Sequence, residues 1–139
     1  MTFRRFEDIR AWQTARSLRS EIYAASDGRA FKRDFGLRDQ IRRAAVSVMS
    51  NIAEGFGHRS DKEFLKFLFA AKGSVLEVMS HLYAAQDQGY ITGDQFKRLH
   101  SRAEICSKQL AGLITFLLGR KDGNQKGETL QTPQTQKTQ

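Results

Sequence analysis

The chain has 139 residues, one cysteine and a net charge of +8. That length suits a single domain with its own core, and 40% hydrophobic with 27% charged residues is an ordinary globular balance. One cysteine excludes an internal disulfide and points to a reducing compartment; no apolar run nears the roughly 20 residues of a membrane span, and the first residues lack the apolar centre of a signal peptide, so a cytoplasmic location is expected.

A first helix is expected from Phe6 to Ala25. Ala11, Ala15, Leu18, Ile22 and Ala25 recur at spacings of four and three, which lays one apolar seam along it. Asp27-Gly28 ends it, and Arg29 to Phe35 reads as a loop. A second helix is expected from Leu37 to Glu54, with Leu37, Ile41, Ala45, Val48 and Ile52 as its seam. Glu54-Gly55 closes it, since glycine commonly stands just past a helix end.

Ser60, with Glu63 three residues on, has the pattern of a capping box. The third helix then runs from Asp61 to Gln88, with Phe64, Leu68, Ala71, Val75, Val78, Leu82 and Ala85 in register and Gly89 as the stop. Thr92 or Asp94 caps the fourth, whose seam is Phe96, Leu99, Ala103, Cys106, Leu110, Leu113 and Leu117, with Gly119 ending it. Four amphipathic helices with short connections predict an all-α chain: an antiparallel up-down-up-down four-helix bundle over residues 1–118. Residues 119–139 are poor in hydrophobics and rich in Gln, Thr and Lys, and are expected to be a disordered tail.

The seams leave apolar side chains over. Phe3, Phe6, Ile9 and Trp12 lie beside the first; Leu65, Phe69, Leu76, Met79 and Tyr83 beside the third; Phe116 and Leu118 off the fourth. A small bundle needs about one stripe per helix, so the surplus predicts self-association.

Two polar lines suggest a site. Ser47, Asn51 and Glu54 share one side of the second helix, and Ser74, Glu77 and His81 one side of the third. A buried line must be hydrogen-bonded, and Ser47, Asn51, Glu54, Ser74 and Glu77 are expected to form a structural network between the two helices. Glu54/His58 and Glu77/His81 also invite a metal reading. Ferritin-like sites place histidine at the third position and need carboxylates from two more helices, which this chain does not offer, so no metal or cofactor is expected. Cys106 sits in a seam, and no serine has a histidine partner by spacing, so no catalytic residue is assigned.

The basic residues are better candidates. Residues 1–60 carry 12 basic against 7 acidic side chains, a bias that draws a protein to polyanions. Arg4, Arg5, Lys32, Arg33, Arg38, Arg42, Arg43, Arg59 and Lys62 form the candidate nucleic-acid-binding set, because guanidinium groups offer phosphate a two-pronged donor. Asp39/Arg43 and Asp34/Arg38 have the spacing of ion pairs along one helix. Arg42 has the weakest claim to an acidic partner on its own helix.

The run Phe35-Gly36-Leu37-Arg38-Asp39-Gln40-Ile41-Arg42-Arg43-Ala44-Ala45, then Ser47 and Ser50-Asn51-Ile52-Ala53-Glu54-Gly55, resembles the 23S rRNA intervening-sequence proteins, or S23 family. Glu63-Phe64-Leu65-Lys66-Phe67-Leu68, Gly73-Ser74-Val75-Leu76-Glu77 and the opening Phe6-Glu7-Asp8-Ile9-Arg10-Ala11-Trp12 fit the same family. The resemblance covers residues 3–118. It implies an up-down-up-down bundle, a homopentameric ring and no known enzymatic activity. The fold also resembles the accessory protein of diversity-generating retroelements, a basic pentamer that engages nucleic acid and a reverse transcriptase. Gln40, Arg42, Ser47, Asn51, Glu54, Gly55, Gly73, Ser74 and Glu77 are the motif residues carried over; Lys72 and Met79-Ser80-His81 depart from the pattern. Charge and resemblance together predict a non-enzymatic oligomer that binds structured RNA, the alternative being a protein-interaction scaffold such as a reverse transcriptase accessory subunit.

Overall fold

A computed structural model describes residues 3–125; all their regular structure is helical, with no strand among them. The chain opens with a 3₁₀ turn, Phe6–Asp8, in place of the first turn of a continuous helix. Asp8 Oδ2 holds the turn by accepting from the backbone N–H groups of Arg4 and Arg5 at 3.3 and 3.2 Å. Ile9 then takes an extended conformation and buries its side chain. Helix α1 follows as Arg10–Ala25.

The segment expected to be a loop contains a short helix, α2, Arg29–Arg33. Five residues are too few to show periodicity. What fixes them is Phe31, which is 1% exposed and stacks on Tyr90 with ring centroids 5.2 Å apart. Asp34 then starts α3, Phe35–Gly57, by accepting from the Leu37 N–H at 3.1 Å. Its other carboxylate oxygen accepts from Tyr90 Oη at 3.0 Å. Asp34 is therefore a helix cap and a tertiary contact, not the partner of Arg38.

Gly55 does not end the helix. It lies inside α3 and is buried, and a Cβ placed on it would meet Phe67 Cβ at 2.5 Å. Glycine stands here because α3 and α4 approach closely. The chain turns later, at Arg59, with φ of 59°. Helix α4 spans Asp61–Asp87, and Ser60 Oγ accepts from the Glu63 N–H at its start. Gly89, with φ of 75°, stops it as expected.

Helix α5 spans Gly93–Gln125. Thr92 Oγ1 accepts from the Gln95 N–H while Gln95 Oε1 accepts from the Thr92 N–H, a reciprocal cap. The helix passes through Gly119, so residues 119–125 are helical and not the start of a tail; the rest of the expected tail lies outside the described residues. One helical glycine costs about 1 kcal/mol. Buried Leu117 on one side and Arg120, paired with Asp61, on the other anchor the helix across it.

The four long helices pack in a closed cycle, α1 on α3, α3 on α4, α4 on α5 and α5 on α1. Every seam residue from Ala11 to Ile22, Ile41 to Ile52, Phe64 to Ala85 and Leu99 to Leu117 lies in one core. Part of the apolar surplus joins it: Ile9 and Leu65 are buried, and Phe3, Phe6, Trp12, Met79 and Phe116 pack on its edge. Phe69, Leu76 and Tyr83 stay outside, each more than half exposed.

Candidate nucleic-acid interface

The two polar lines meet, but only in part. Ser74 Oγ donates to Ser47 Oγ at 2.9 Å across the α3–α4 contact, and Asn51 Nδ2 donates to Ser47 Oγ at 3.0 Å and to the Ser47 carbonyl at 2.8 Å. Glu54 is exposed and makes no hydrogen bond among the described residues. Glu77 is exposed as well and lies 3.5 Å from His81 Nε2, its neighbour one turn on. The network is thus Ser47, Asn51 and Ser74, with both carboxylates turned to solvent. Among the described residues no three groups of the His, Cys, Asp or Glu kind come together as metal ligands.

The basic set divides. Arg42 is an internal clamp. Its Nε donates to Ser26 Oγ at 2.7 Å, its Nη2 donates to the Tyr23 carbonyl at 3.3 Å, and the guanidinium lies 4.5 Å over the Tyr23 ring. Ser26, fully buried, donates in turn to the Ile22 carbonyl. Arg42 therefore supplies a donor to the Tyr23 carbonyl in the last turn of α1, one of the groups left without a partner at a helix end. Arg38 is also engaged: it pairs with Asp39, donates to the Lys32 carbonyl and covers the Phe35 ring. Asp39 thus pairs with Arg38 and not with Arg43, which is exposed and unpaired among the described residues.

The remainder sit at two ends. Leu113 and Gly112 of α5 share a cleft with Phe3, Ile9 and Arg10, and Arg120 holds Asp61 through two hydrogen bonds of 3.1 and 2.8 Å. The start of α1, the α3–α4 turn and the late part of α5 are therefore neighbours. This end carries Arg4, Arg5, Arg59 and Lys62. Lys32, Arg33 and Arg38 lie at the opposite end, about 30 Å away by the rise of α3.

Four carboxylates of the first end are engaged, Glu7 with Arg5, Asp8 with two backbone N–H groups, Asp61 with Arg120, and Glu63 with Lys66, while Glu54 in the last turns of α3 is not. Arg4, Arg10, Arg59 and Lys62 have no such partner among the described residues. Each exposed pair contributes little to stability. Their effect is on the field, because locally neutralised acids leave the unpaired cations in excess.

A second positive feature was passed over in the sequence. Trp12, Arg16, Arg19 and Tyr23 recur at spacings of four, three and four along α1. Arg16 lies 5.8 Å over the Trp12 ring and Arg19 5.7 Å over the Tyr23 ring. The spacing was visible, but a single tryptophan beside an apolar seam reads first as packing.

The sequence profile of the 23S rRNA-intervening sequence proteins matches residues 7–112. The chain belongs to that family. No curated protein matches it. Among solved structures it is similar to a protein of unknown function from the S23 ribosomal protein family of Bacteroides thetaiotaomicron, with a TM-score of 0.69 and 21% identity over 75% of this chain and 97% of that one. At that identity the likeness speaks for the shared helical fold. No described helix is long and apolar enough to cross a membrane.

Proposed function

We propose that this S23-family chain is a non-enzymatic, cytoplasmic, oligomeric up-down-up-down bundle that binds nucleic acid, structured RNA in the first instance, through its basic surface. The observation that carries the reading is the charge arrangement around the start of α1 and the α3–α4 turn. There Glu7, Asp8, Asp61 and Glu63 are engaged, while Arg4, Arg10, Arg59 and Lys62 remain unpaired among the described residues and outnumber the one free carboxylate there, Glu54. Unpaired cations at one end of a rigid bundle suit a phosphate backbone, which is recognised by charge before sequence. The antiparallel order draws support from two contacts: Arg42 near the start of α3 meets the end of α1, and Arg120 near the end of α5 meets Asp61 at the start of α4.

Titrating a labelled RNA hairpin at two salt concentrations tests the reading. Micromolar or tighter binding that weakens steeply with salt is the expected result. An Arg59→Glu/Lys62→Glu variant should bind more weakly and with a shallower salt dependence. No binding to RNA or DNA at low salt would sink the proposal.

Self-association draws on Phe69, Leu76 and Tyr83, which recur every seventh residue on the outer face of α4 and remain exposed. A second copy covering this stripe would bury three large apolar side chains. Light scattering on native and Leu76→Asp protein gives the test: a multimer, pentameric by family resemblance, that dissociates on substitution. The same stripe favours the scaffold reading if it stays uncovered in the multimer. A protein partner that survives nuclease treatment in a pull-down would then replace RNA as the principal ligand.

A further inference from the structure

Resting on the nucleic-acid reading above, we infer that the Trp12–Arg16–Arg19–Tyr23 face of α1, closed by Arg42 of α3, is the track for an unpaired, single-stranded segment of the nucleic acid. The four α1 residues lie within one narrow sector of the helix, beside its buried seam. They alternate aromatic and guanidinium: Arg16 covers Trp12, and Tyr23 lies between Arg19 at 5.7 Å and Arg42 at 4.5 Å. Trp12 is further braced by the edge of Phe6 at 5.1 Å. From Trp12 to Tyr23 the track rises about 16 Å, enough for two or three extended nucleotides.

Cation–π contact alone would account for one such pair on a helix surface, since these occur about once in 70–80 residues. Three guanidiniums on one face go beyond that frequency; of the carboxylates beside it, Glu21 lines the pocket next to Trp12 and Arg16 but is held by Arg102, and Asp27 stands 4.0 Å from Arg42 at the far end. The donors are also incompletely used. Arg16 makes no hydrogen bond to the described residues. Arg19 gives Nη2 to Ser20 Oγ at 3.2 Å, but its Nε is buried with no acceptor. A buried donor without an acceptor costs free energy, and turning the Arg19 side chain outward to a ligand phosphate would relieve that cost. Ring and guanidinium faces accept bases of any identity, and duplex bases are already stacked, so the chemistry selects single strands. The track also runs from the Arg4/Arg59 end toward the Lys32/Arg33 end, which joins two basic groups that otherwise stand about 30 Å apart.

Trp12 is the single tryptophan of the chain and reports on its own surroundings. Its fluorescence is titrated with oligouridylate, oligoadenylate, the matching DNA oligomers and a fully paired RNA hairpin, with light scattering and helical circular dichroism on every variant. The expected result is saturable quenching by single strands, RNA or DNA, beyond that by the hairpin. Arg16→Glu is exposed and keeps the fold; it should weaken single-strand binding about tenfold or more, and Arg19→Gln similarly. Single-strand affinity unchanged in Arg16→Glu but lost in Arg59→Glu/Lys62→Glu overturns the track while leaving the nucleic-acid reading standing. A multimer that dissociates in Arg16→Glu with single-strand affinity intact also overturns it, and assigns the face to a second copy. No binding of any nucleic acid at low salt removes both readings together.

Discussion

Gly55 and Phe67 mark a close approach between α3 and α4: a Cβ on Gly55 would stand 2.5 Å from Phe67 Cβ and 3.2 Å from Phe64 Cδ1. The atom in the way is the root of a side chain, so only backbone movement could relieve the clash. Gly55→Ala should therefore destabilise the protein by about 2 kcal/mol or more, the cost of overpacking a filled core. Gly73→Ala is the matched control. Gly73 lies within α4 with open space around it, so alanine should stabilise by about 0.5–1 kcal/mol. Urea unfolding of both variants gives the comparison, and equal effects would refute the packing account.

Arg42 and Arg43 are adjacent and both belong to the candidate binding set, with spacing giving an acidic partner to Arg43 and none to Arg42, yet the structure reverses that order. Arg42 spends its guanidinium on Ser26 Oγ, the Tyr23 carbonyl and the Tyr23 ring, while Arg43 is exposed and unpaired among the described residues. Arg42→Ala should cost about 2 kcal/mol, since it removes hydrogen bonds to a charged group and leaves buried Ser26 short of a donor. Arg43→Ala should change stability by no more than about 0.5 kcal/mol. Chemical denaturation at fixed salt separates the two; a silent Arg42→Ala would show that the clamp contributes nothing.

The seams were legible because burial on one helix face forces a period near 3.6, and every core position in them follows from that spacing. What escaped the sequence is non-local or too short. Phe31 anchors a five-residue helix through a ring 59 positions away. The partners of Arg42 are 16 and 19 residues upstream, beyond any spacing rule within a helix. Gly55 and Gly119 both read as stops, yet one is a close-packing position and the other is carried through by the contacts flanking it. Glu54 and Glu77 shared faces with the serines by period, but small differences in angle put the longer, charged side chains in water. The basic set was legible as composition; its division between two ends needed the order of the helices.

Asp34 couples the start of α3 to the α4–α5 connection through Tyr90 Oη. The hydrogen bond to Asp34 raises the Tyr90 pKa above 10.0, with burial and the Asp34 charge adding to the shift. The neutral phenol is thus favoured in the folded state. A raised pKa gives stability that is fully present below the unfolded value, near pH 10, and is lost as pH climbs through the folded value. Stability should therefore fall above about pH 10, and Tyr90→Phe should be less stable than the native chain at neutral pH with a flatter alkaline limb. Unfolding curves at pH 8 and above pH 10 provide the check; parallel pH dependence in the two proteins would remove Tyr90 from the coupling.

Cys106 offers a measure of how tightly the core is closed. It is fully buried in the α5 seam, with Sγ 3.7 Å from the Ala11 carbonyl, and burial pushes its pKa up to about 12. The thiolate is the reactive form, so at pH 8 about one thiol in ten thousand is ionised even before access is considered. An aromatic disulfide reagent should leave the native protein unlabelled for hours and label it fully once unfolded. At low denaturant the labelling rate should track the population of the open state, and Gly55→Ala should raise it in proportion to its loss of stability. The two sites are on different helices of one core, so proportional acceleration would mean that α3, α4 and α5 open together. Stoichiometric labelling of the native protein within minutes would instead show that the α1–α5 seam opens locally, independent of the rest of the bundle.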